Sequence, residues 1–210
     1  MLFHERLYNY SDTHSYSMPV YLDQLDRETG LTTVNPFMSC GPVVGRWLIQ
    51  ISEWIQPKHI LEIGTFTGYS ALCLAQGLQS DGIITCLEVN EEYESIIRKY
   101  FAIAEKSNQL NLIIGDAIDT LDQLIDQYDL VFIDANKQIY EVLYEKVVTK
   151  MSPGGIILID NVLWYGNVLS EHMDKETQAI HAFNRHVHHD PRVKSFILPI
   201  RDGITLIKKL

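Results

Sequence analysis

Apolar residues in this chain follow two rhythms, and the change between them falls near residue 59. Upstream, Val43, Val44, Trp47, Leu48, Ile51 and Ile55 recur at helical spacing. They predict one amphipathic helix that stops before Pro57. Residues 1–36 read as a helical preface with a break near Asn35-Pro36. From His59 onward, short apolar runs alternate with longer periodic segments. The runs are HILEI (59–63), IITCLEV (83–89), LNLII (110–114), DLVFID (129–134) and GIILID (155–160). Helices are expected between them, over about 69–79, 91–107, 117–126 and 138–150. Continuous apolar strands alternating with helices imply a parallel sheet covered on both faces. Such sheets bind ligands outside the carboxyl ends of their strands. The last two runs, VKSFILPI and ITLIKKL, are separated only by Arg201-Asp202-Gly203. So short a connection makes a hairpin. The expected fold class is α/β, a mostly parallel, doubly wound sheet ending in an antiparallel hairpin.

Length and composition narrow this picture. A chain of 210 residues without repeats, low-complexity tracts or a Gly/Pro/Ser-rich linker suits one domain. Residues 1–56 would be its helical preface and 57–210 its α/β core. No apolar run approaches the ~20 residues that span a bilayer. The N-terminus lacks a basic region followed by an apolar stretch, so a cytoplasmic protein with no membrane partner is expected. Cys40, Cys73 and Cys86 are odd in number and form no C-x-x-C pair, which implies reduced thiols. Lys and Arg number 17 against 27 Asp and Glu, a net charge of −10. Long-range repulsion then disfavours nucleic acid as a partner.

The first candidate site follows the first α/β strand, in Leu61-Glu62-Ile63-Gly64-Thr65-Phe66-Thr67-Gly68-Tyr69-Ser70. Glycine permits positive φ and close approach of a ligand to the backbone. The spacing is G-x-x-x-G, not the dinucleotide fingerprint G-x-G-x-x-G. Glu62 would repel a pyrophosphate but suits the ammonium of a methionine moiety, directly or through water. Glu88 closes the second strand, where an acid accepts hydrogen bonds from ribose hydroxyls; alone it reads equally as a solvated acid. Asp116 could accept from an adenine amino group and the Ala117 N–H could donate to a ring nitrogen. Asp116 is also a natural helix N-cap.

A second constellation ends the fourth and fifth strands, in Phe132-Ile133-Asp134-Ala135-Asn136-Lys137 and Ile159-Asp160-Asn161. Asp134, Asp160 and Asn161 would converge as three oxygen donors suited to a hard divalent cation, Mg²⁺ first, with Mn²⁺ or Ca²⁺ as alternatives. Each acid alone reads equally as a cap or a buried acceptor. Lys137, beside a metal and a sulfonium, would have its ammonium form disfavoured. It could then act as a general base, or simply face solvent on a first helical turn. Trp164 and Tyr165 are candidate walls for a flat ring, or core or interface residues. His181, His186, His188 and His189 crowd one segment but show no zinc spacing, so they are read as incidental on a surface helix. No G-x-S-x-G is present for a serine hydrolase.

Together these motifs resemble the cation-dependent O-methyltransferases of the caffeoyl-CoA and catechol O-methyltransferase type. The resemblance runs from about Met38 to the C-terminus, on residues 61–70, 132–137 and Asp160-Asn161-Val162-Leu163-Trp164. It implies a Rossmann-like class I methyltransferase fold and S-adenosylmethionine as cofactor. Met38 and Cys40 would line the cofactor pocket. Glu62, Gly64, Thr65 and Ser70 would hold the methionine part, Glu88 the ribose and Ala117 the adenine. Asp134 belongs to both the cofactor and the metal sets, Asp160 and Asn161 to the metal, and Lys137 would be the base. The family is usually homodimeric. Two departures stand out: Asn136 replaces a carboxylate common in the family, and Tyr165 follows Trp164 where an acid is common. The expected reaction is methyl transfer to a hydroxyl of a small phenolic or catechol-like acceptor. A nicotinamide-dependent oxidoreductase and a non-catalytic binding module are the alternatives.

Overall fold

The computed structural model describes residues 3–124 and 127–210, and side chains within these from residue 6 onward. Three helices form the preface: α1 (Phe3–Thr13), α2 (Val20–Thr32) and α3 (Gly41–Ile55). A short 3-10 turn, Pro36–Met38, interrupts them where Asn35-Pro36 predicts a break. Helix α3 ends at Gln56, which takes the left-handed conformation just before Pro57.

Seven strands follow: β1 (His59–Ile63), β2 (Ile83–Glu88), β3 (Leu110–Ile114), β4 (Tyr128–Ile133), β5 (Met151–Ile159), β6 (Val193–Leu198) and β7 (Ile204–Lys209). They form one sheet in the order β3-β2-β1-β4-β5-β7-β6. Strands β1 to β5 pair in parallel, and β7 runs antiparallel to both β5 and β6. This is the expected doubly wound sheet with a terminal antiparallel hairpin. The chain reverses direction across the sheet between β1 and β4, which opens a crevice there.

Successive strand residues face opposite sides. Ile60, Ile84, Leu130, Phe132 and Leu158 pack under Leu22, Leu25, Val44 and Leu48 of the preface, so α2 and α3 cover one face. Leu61, Ile63, Val131, Ile133, Ile157 and Ile159 face the other way. Helices α7 (Tyr140–Val148) and α8 (Lys175–His188) cover them. Helix α8 is more than a surface helix, because Thr177, Ile180, Phe183 and Val187 bury one stripe of it.

Helix boundaries are shorter than periodicity predicts. Helix α4 (Tyr69–Leu74) stops five residues before residue 79. Ser52 Oγ donates to the Leu74 carbonyl at 2.5 Å, and Gly77 lies so close to α3 that a Cβ would fall 2.1 Å from the Ser52 carbonyl carbon. The segment 91–107 contains a 3-10 turn, Glu91–Tyr93, opened by the Asn90 side chain, and then α5 (Glu94–Ile103). Helix α6 (Ala117–Gln123) forms as expected, but residues 125 and 126 of its predicted end lie outside the described residues. Among the described residues no helix is long and apolar enough to cross a membrane.

Candidate active site

The carboxyl ends of β1 to β5 open into a cleft of about 1270 Å³. Every candidate site residue from the sequence lines it except Glu62, which lies buried beneath the wall. Met38 and Cys40 reach it from the preface, on the segment between α2 and α3.

On the β1–β2 side the backbone builds the wall. Gly64 has φ 91°, and a Cβ there would meet the Asp134 carbonyl oxygen at 1.9 Å. The close approach requiring glycine is therefore made by the neighbouring strand end, whatever binds in the cleft. Gly64 and Thr65 N–H both donate to the Leu87 carbonyl, tying the loop to β2. Glu88 is buried, not solvated. Its Oε2 accepts from Phe66 N–H at 2.6 Å and its Oε1 from Asn90 N–H at 2.9 Å. Each oxygen keeps a lone pair for a ligand. Glu62 is fully buried, and neither of its oxygens has a hydrogen-bond partner of good geometry. Burial pushes its carboxyl up to about 8, partly opposed by the nearby Ser70 and Thr65 hydroxyls. An orphaned buried carboxyl is costly unless something pairs with it. Asp116 does cap α6, its Oδ1 accepting from Ile118 N–H at 2.7 Å, while it also lines the cleft.

On the β4–β5 side the two acids meet. Asp134 and Asp160 follow strands that are hydrogen-bonded neighbours, so both reach the same rim. Burial, and then the Asp134 charge, push the Asp160 carboxyl up to about 7. The Asn161 N–H, 2.7 Å from Asp160 Oδ1, opposes the rise, as do Arg201 and Lys137. Lys137 Nζ lies 2.6 Å from Asp134 Oδ1 and over the Tyr140 ring. It is largely buried, not a solvent-facing lysine. Asn136 caps the turn that carries it, accepting from Gln138 N–H. Trp164 and Tyr165 both take positive φ and line the mouth, and Tyr165 is 83% exposed.

Sequence reasoning missed several wall residues. Arg201 and Asp202 were legible only as turn residues, yet both line the cleft. Asp202 is buried, and its Oδ1 accepts from Tyr165 N–H at 2.5 Å. Phe37 and Leu169 also reach the mouth from irregular segments, without any periodic signal. Of the histidines, His186 joins Glu145 and Asp190 in a compact group. Arg192 bridges both carboxylates there, with contacts of 2.6 Å to each, so the protein itself already supplies a cation to the pair. All three cysteines are free and buried.

With this geometry in hand, comparison with known proteins is informative. The family model described as O-methyltransferase matches residues 12–210. The chain belongs to the family of class I, S-adenosylmethionine-dependent O-methyltransferases. A probable caffeoyl-CoA O-methyltransferase of Dictyostelium discoideum is 41% identical over 170 residues, covering 78% of this chain and 72% of the relative. A putative caffeoyl-CoA O-methyltransferase of Arabidopsis thaliana is 35% identical over 79% of this chain and 75% of its own. Among solved structures, an SAH-bound Podospora anserina methyltransferase superposes with a TM-score of 0.91 at 28% identity, covering 99% and 95% of the two chains. A Bacillus cereus O-methyltransferase in complex with SAH gives 0.89 at 27% identity, covering 96% of each. In this O-methyltransferase the family motifs and the cleft coincide.

Proposed function

We propose that this O-methyltransferase methylates a hydroxyl of a small phenolic or catechol-like acceptor with the help of a divalent cation. The observation that carries the reading is the meeting of Asp134, Lys137, Asp160 and Asn161 in the same cleft as Glu88. S-Adenosylmethionine suits the β1–β3 side. Glu62 offers a buried, unpartnered carboxyl for an ammonium, and Glu88 keeps lone pairs for two ribose hydroxyls. Gly64, Thr65 and Ser70 would shape the methionine subsite, Met38 and Cys40 its cover, and Asp116 and Ala117 the adenine subsite. The Arabidopsis and Dictyostelium relatives carry caffeoyl-CoA in their names, which supports an aromatic acceptor here.

The donor set on the other side is all oxygen, as a hard cation prefers. Two acids crowd together there, with Asp160 driven towards its neutral form, and a cation would relieve that repulsion. Asp134, Asp160 and Asn161 would hold it. Such a cation supplies Lewis acidity, lowering the pKa of an acceptor hydroxyl. Lys137 would take the hydroxyl proton on Nζ as a neutral amine, once its pairing with Asp134 is loosened and its own ammonium proton has passed to solvent. Trp164 and Tyr165 would hold the acceptor ring and so orient the oxygen towards the methyl group.

We further read residues 1–210 as one methyltransferase domain, 1–56 its helical preface and 57–210 its core, working in the cytoplasm as a homodimer. Light scattering on the purified protein tests the dimer. A methyl-transfer screen over phenolic acceptors, with and without chelator, tests the reaction. Product formation unaffected by exhaustive chelation would remove the cation from the reading. Family membership leaves little room for a nicotinamide enzyme. Tight NAD binding without S-adenosylhomocysteine binding in calorimetric titration would reinstate it.

A further inference from the structure

The turn between β6 and β7 lines the acceptor mouth through Arg201 and Asp202 and bonds to segments on both of its sides. On one side it grips the loop after β5. Val162 N–H donates to the Gly203 carbonyl, Leu163 N–H to the Asp202 carbonyl, and Tyr165 N–H to Asp202 Oδ1. Gly203 packs so tightly there that a Cβ would fall 2.4 Å from the Leu163 side chain. On the other side Arg201 reaches across the cleft to the strap between α2 and α3. Its Nη1 donates to the Ser39 carbonyl at 2.9 Å, and its Nη2 lies 3.4 Å from the Phe37 carbonyl.

The strap needs such a hold. It contains only a single 3-10 turn, closed by Met38 N–H to Asn35 O and Ser39 N–H to Pro36 O. Its side chains hold it only at the end next to α3, where Ser39 and Cys40 are buried, while Phe37 is 88% exposed and Met38 is also exposed. Among the described residues, no outside side chain other than Arg201 hydrogen-bonds residues 35–40. Arg201 itself has φ 52°, a conformation that disfavours any residue but glycine. A non-glycine residue in that conformation persists when its surroundings over-determine it. The guanidinium fork suits two carbonyls at once, where a lysine ammonium is a point charge.

We propose that Arg201 is a positioning residue for methyl transfer, latching the Pro36–Met38 strap against the β6–β7 turn and so fixing the width of the acceptor mouth. Arg201 contacts neither the strand ends that form the cofactor side nor the donors of the cation set by hydrogen bond. Its removal should therefore loosen acceptor binding directly, and cofactor binding only through Met38, which the strap carries over the methionine subsite. This inference rests on the acceptor occupying the mouth proposed above.

Arg201→Gly is the decisive variant, because glycine keeps the turn and relieves its φ while deleting the latch. The acceptor KM should rise about tenfold or more, roughly the loss of one charged hydrogen bond. The kcat should stay within about threefold, and the S-adenosylhomocysteine Kd should rise by less than the acceptor KM. Chymotryptic cleavage after Phe37, followed by mass spectrometry, should accelerate. Arg201→Lys should restore part of both effects. Unchanged KM in the folded glycine variant would overturn the proposal, even if cleavage accelerates. So would a loss of cofactor affinity as large as the rise in KM together with a loss of thermal stability, which would mark Arg201 as merely structural. If the wild-type protein neither binds S-adenosylhomocysteine nor methylates a phenol, the underlying functional reading has failed instead.

Discussion

The two sides of the cleft are built by different means. The β1–β3 side is made of strand ends and of a loop bonded to the adjacent strand, with Glu62 fully buried and Glu88 gripped by two backbone amides. The mouth of the cleft is made of irregular segments brought from distant parts of the chain, and its Tyr165 and Leu169 are exposed. A rigid strand-end scaffold suits a ligand that is always the same. Loops displayed on that scaffold suit a site whose shape can change, since loops change without cost to the core. Between the two lies the acid pair with Lys137, where chemistry rather than binding should respond to substitution.

Substitutions at that boundary should have the largest effects. Asp160→Ala should lower chelator-sensitive methyl transfer by roughly 10³-fold or more, as Lewis acids contribute several kcal/mol. The S-adenosylhomocysteine Kd should change little. Steady-state rates with added Mg²⁺, beside a binding titration, check both expectations. Retained, chelator-insensitive activity would show that the acid pair serves the fold alone.

Lys137→Met should lower kcat by roughly 10²–10⁴-fold, the usual contribution of a positioned base. Cofactor affinity should hold, and raising the pH should recover part of the rate as the hydroxyl ionises unaided. A pH–rate series on the folded variant decides. A rate within about twofold of wild type throughout would leave Lys137 as a counter-ion for Asp134.

On the cofactor side the expected losses are in affinity. Glu62→Gln should weaken S-adenosylhomocysteine binding by roughly 10–100-fold, the worth of a charged hydrogen bond. It should also change the pH dependence of stability. The folded carboxyl titrates near 8 instead of its usual 4.5, so the folded state holds the extra proton between those values. Stability of the ligand-free protein should then fall as pH rises through that window. The glutamine variant should lose this slope and melt higher than wild type at pH 8.5. Binding of an ammonium-bearing ligand at pH 7 should release up to about one proton from the wild type. Calorimetry in buffers of different ionisation enthalpy measures it, and no release would place the ammonium elsewhere.

At the mouth the effect should be smallest. Tyr165→Ala removes a mostly exposed ring and should raise the acceptor KM by a few-fold, with kcat and thermal stability nearly unchanged, as surface substitutions are mild. A change above about 30-fold would mean that the mouth, like the β1–β3 side, is a fixed subsite. Parallel KM measurements on several phenols would sharpen that distinction.

Much of the strand-end architecture is legible in the sequence. Alternation of apolar runs with helical periods gave away the parallel sheet, and position at a strand's carboxyl end gave away Glu88, Asp134 and Asp160. Fourteen of the fifteen candidates line one cleft, and the exception, Glu62, lies beneath it. Arg201 and Asp202 escaped because turn chemistry alone explains an Arg-Asp-Gly connection. Phe37 and Leu169 escaped because irregular segments carry no period. Helix α4 was overextended because the stop comes from Gly77 meeting α3, a contact between elements and not a local signal.

By itself the sequence determined the elements, their order and the types of group at each strand end, because periodicity, turn chemistry and strand position are local properties. Tertiary structure alone decided which groups are charged or orphaned. Glu62 is fully buried, with no hydrogen-bond partner of good geometry, because β1 is central and covered on both faces. Burial in the wall pushes the Asp160 carboxyl up, and the second acid that β4 and β5 bring beside it adds to the rise. It also decided the shape of the mouth, since Arg201 and the Phe37 carbonyl it reaches are 164 residues apart along the chain. No local pattern encodes a contact of that span; it exists only once the sheet has closed and brought both loops to the same rim.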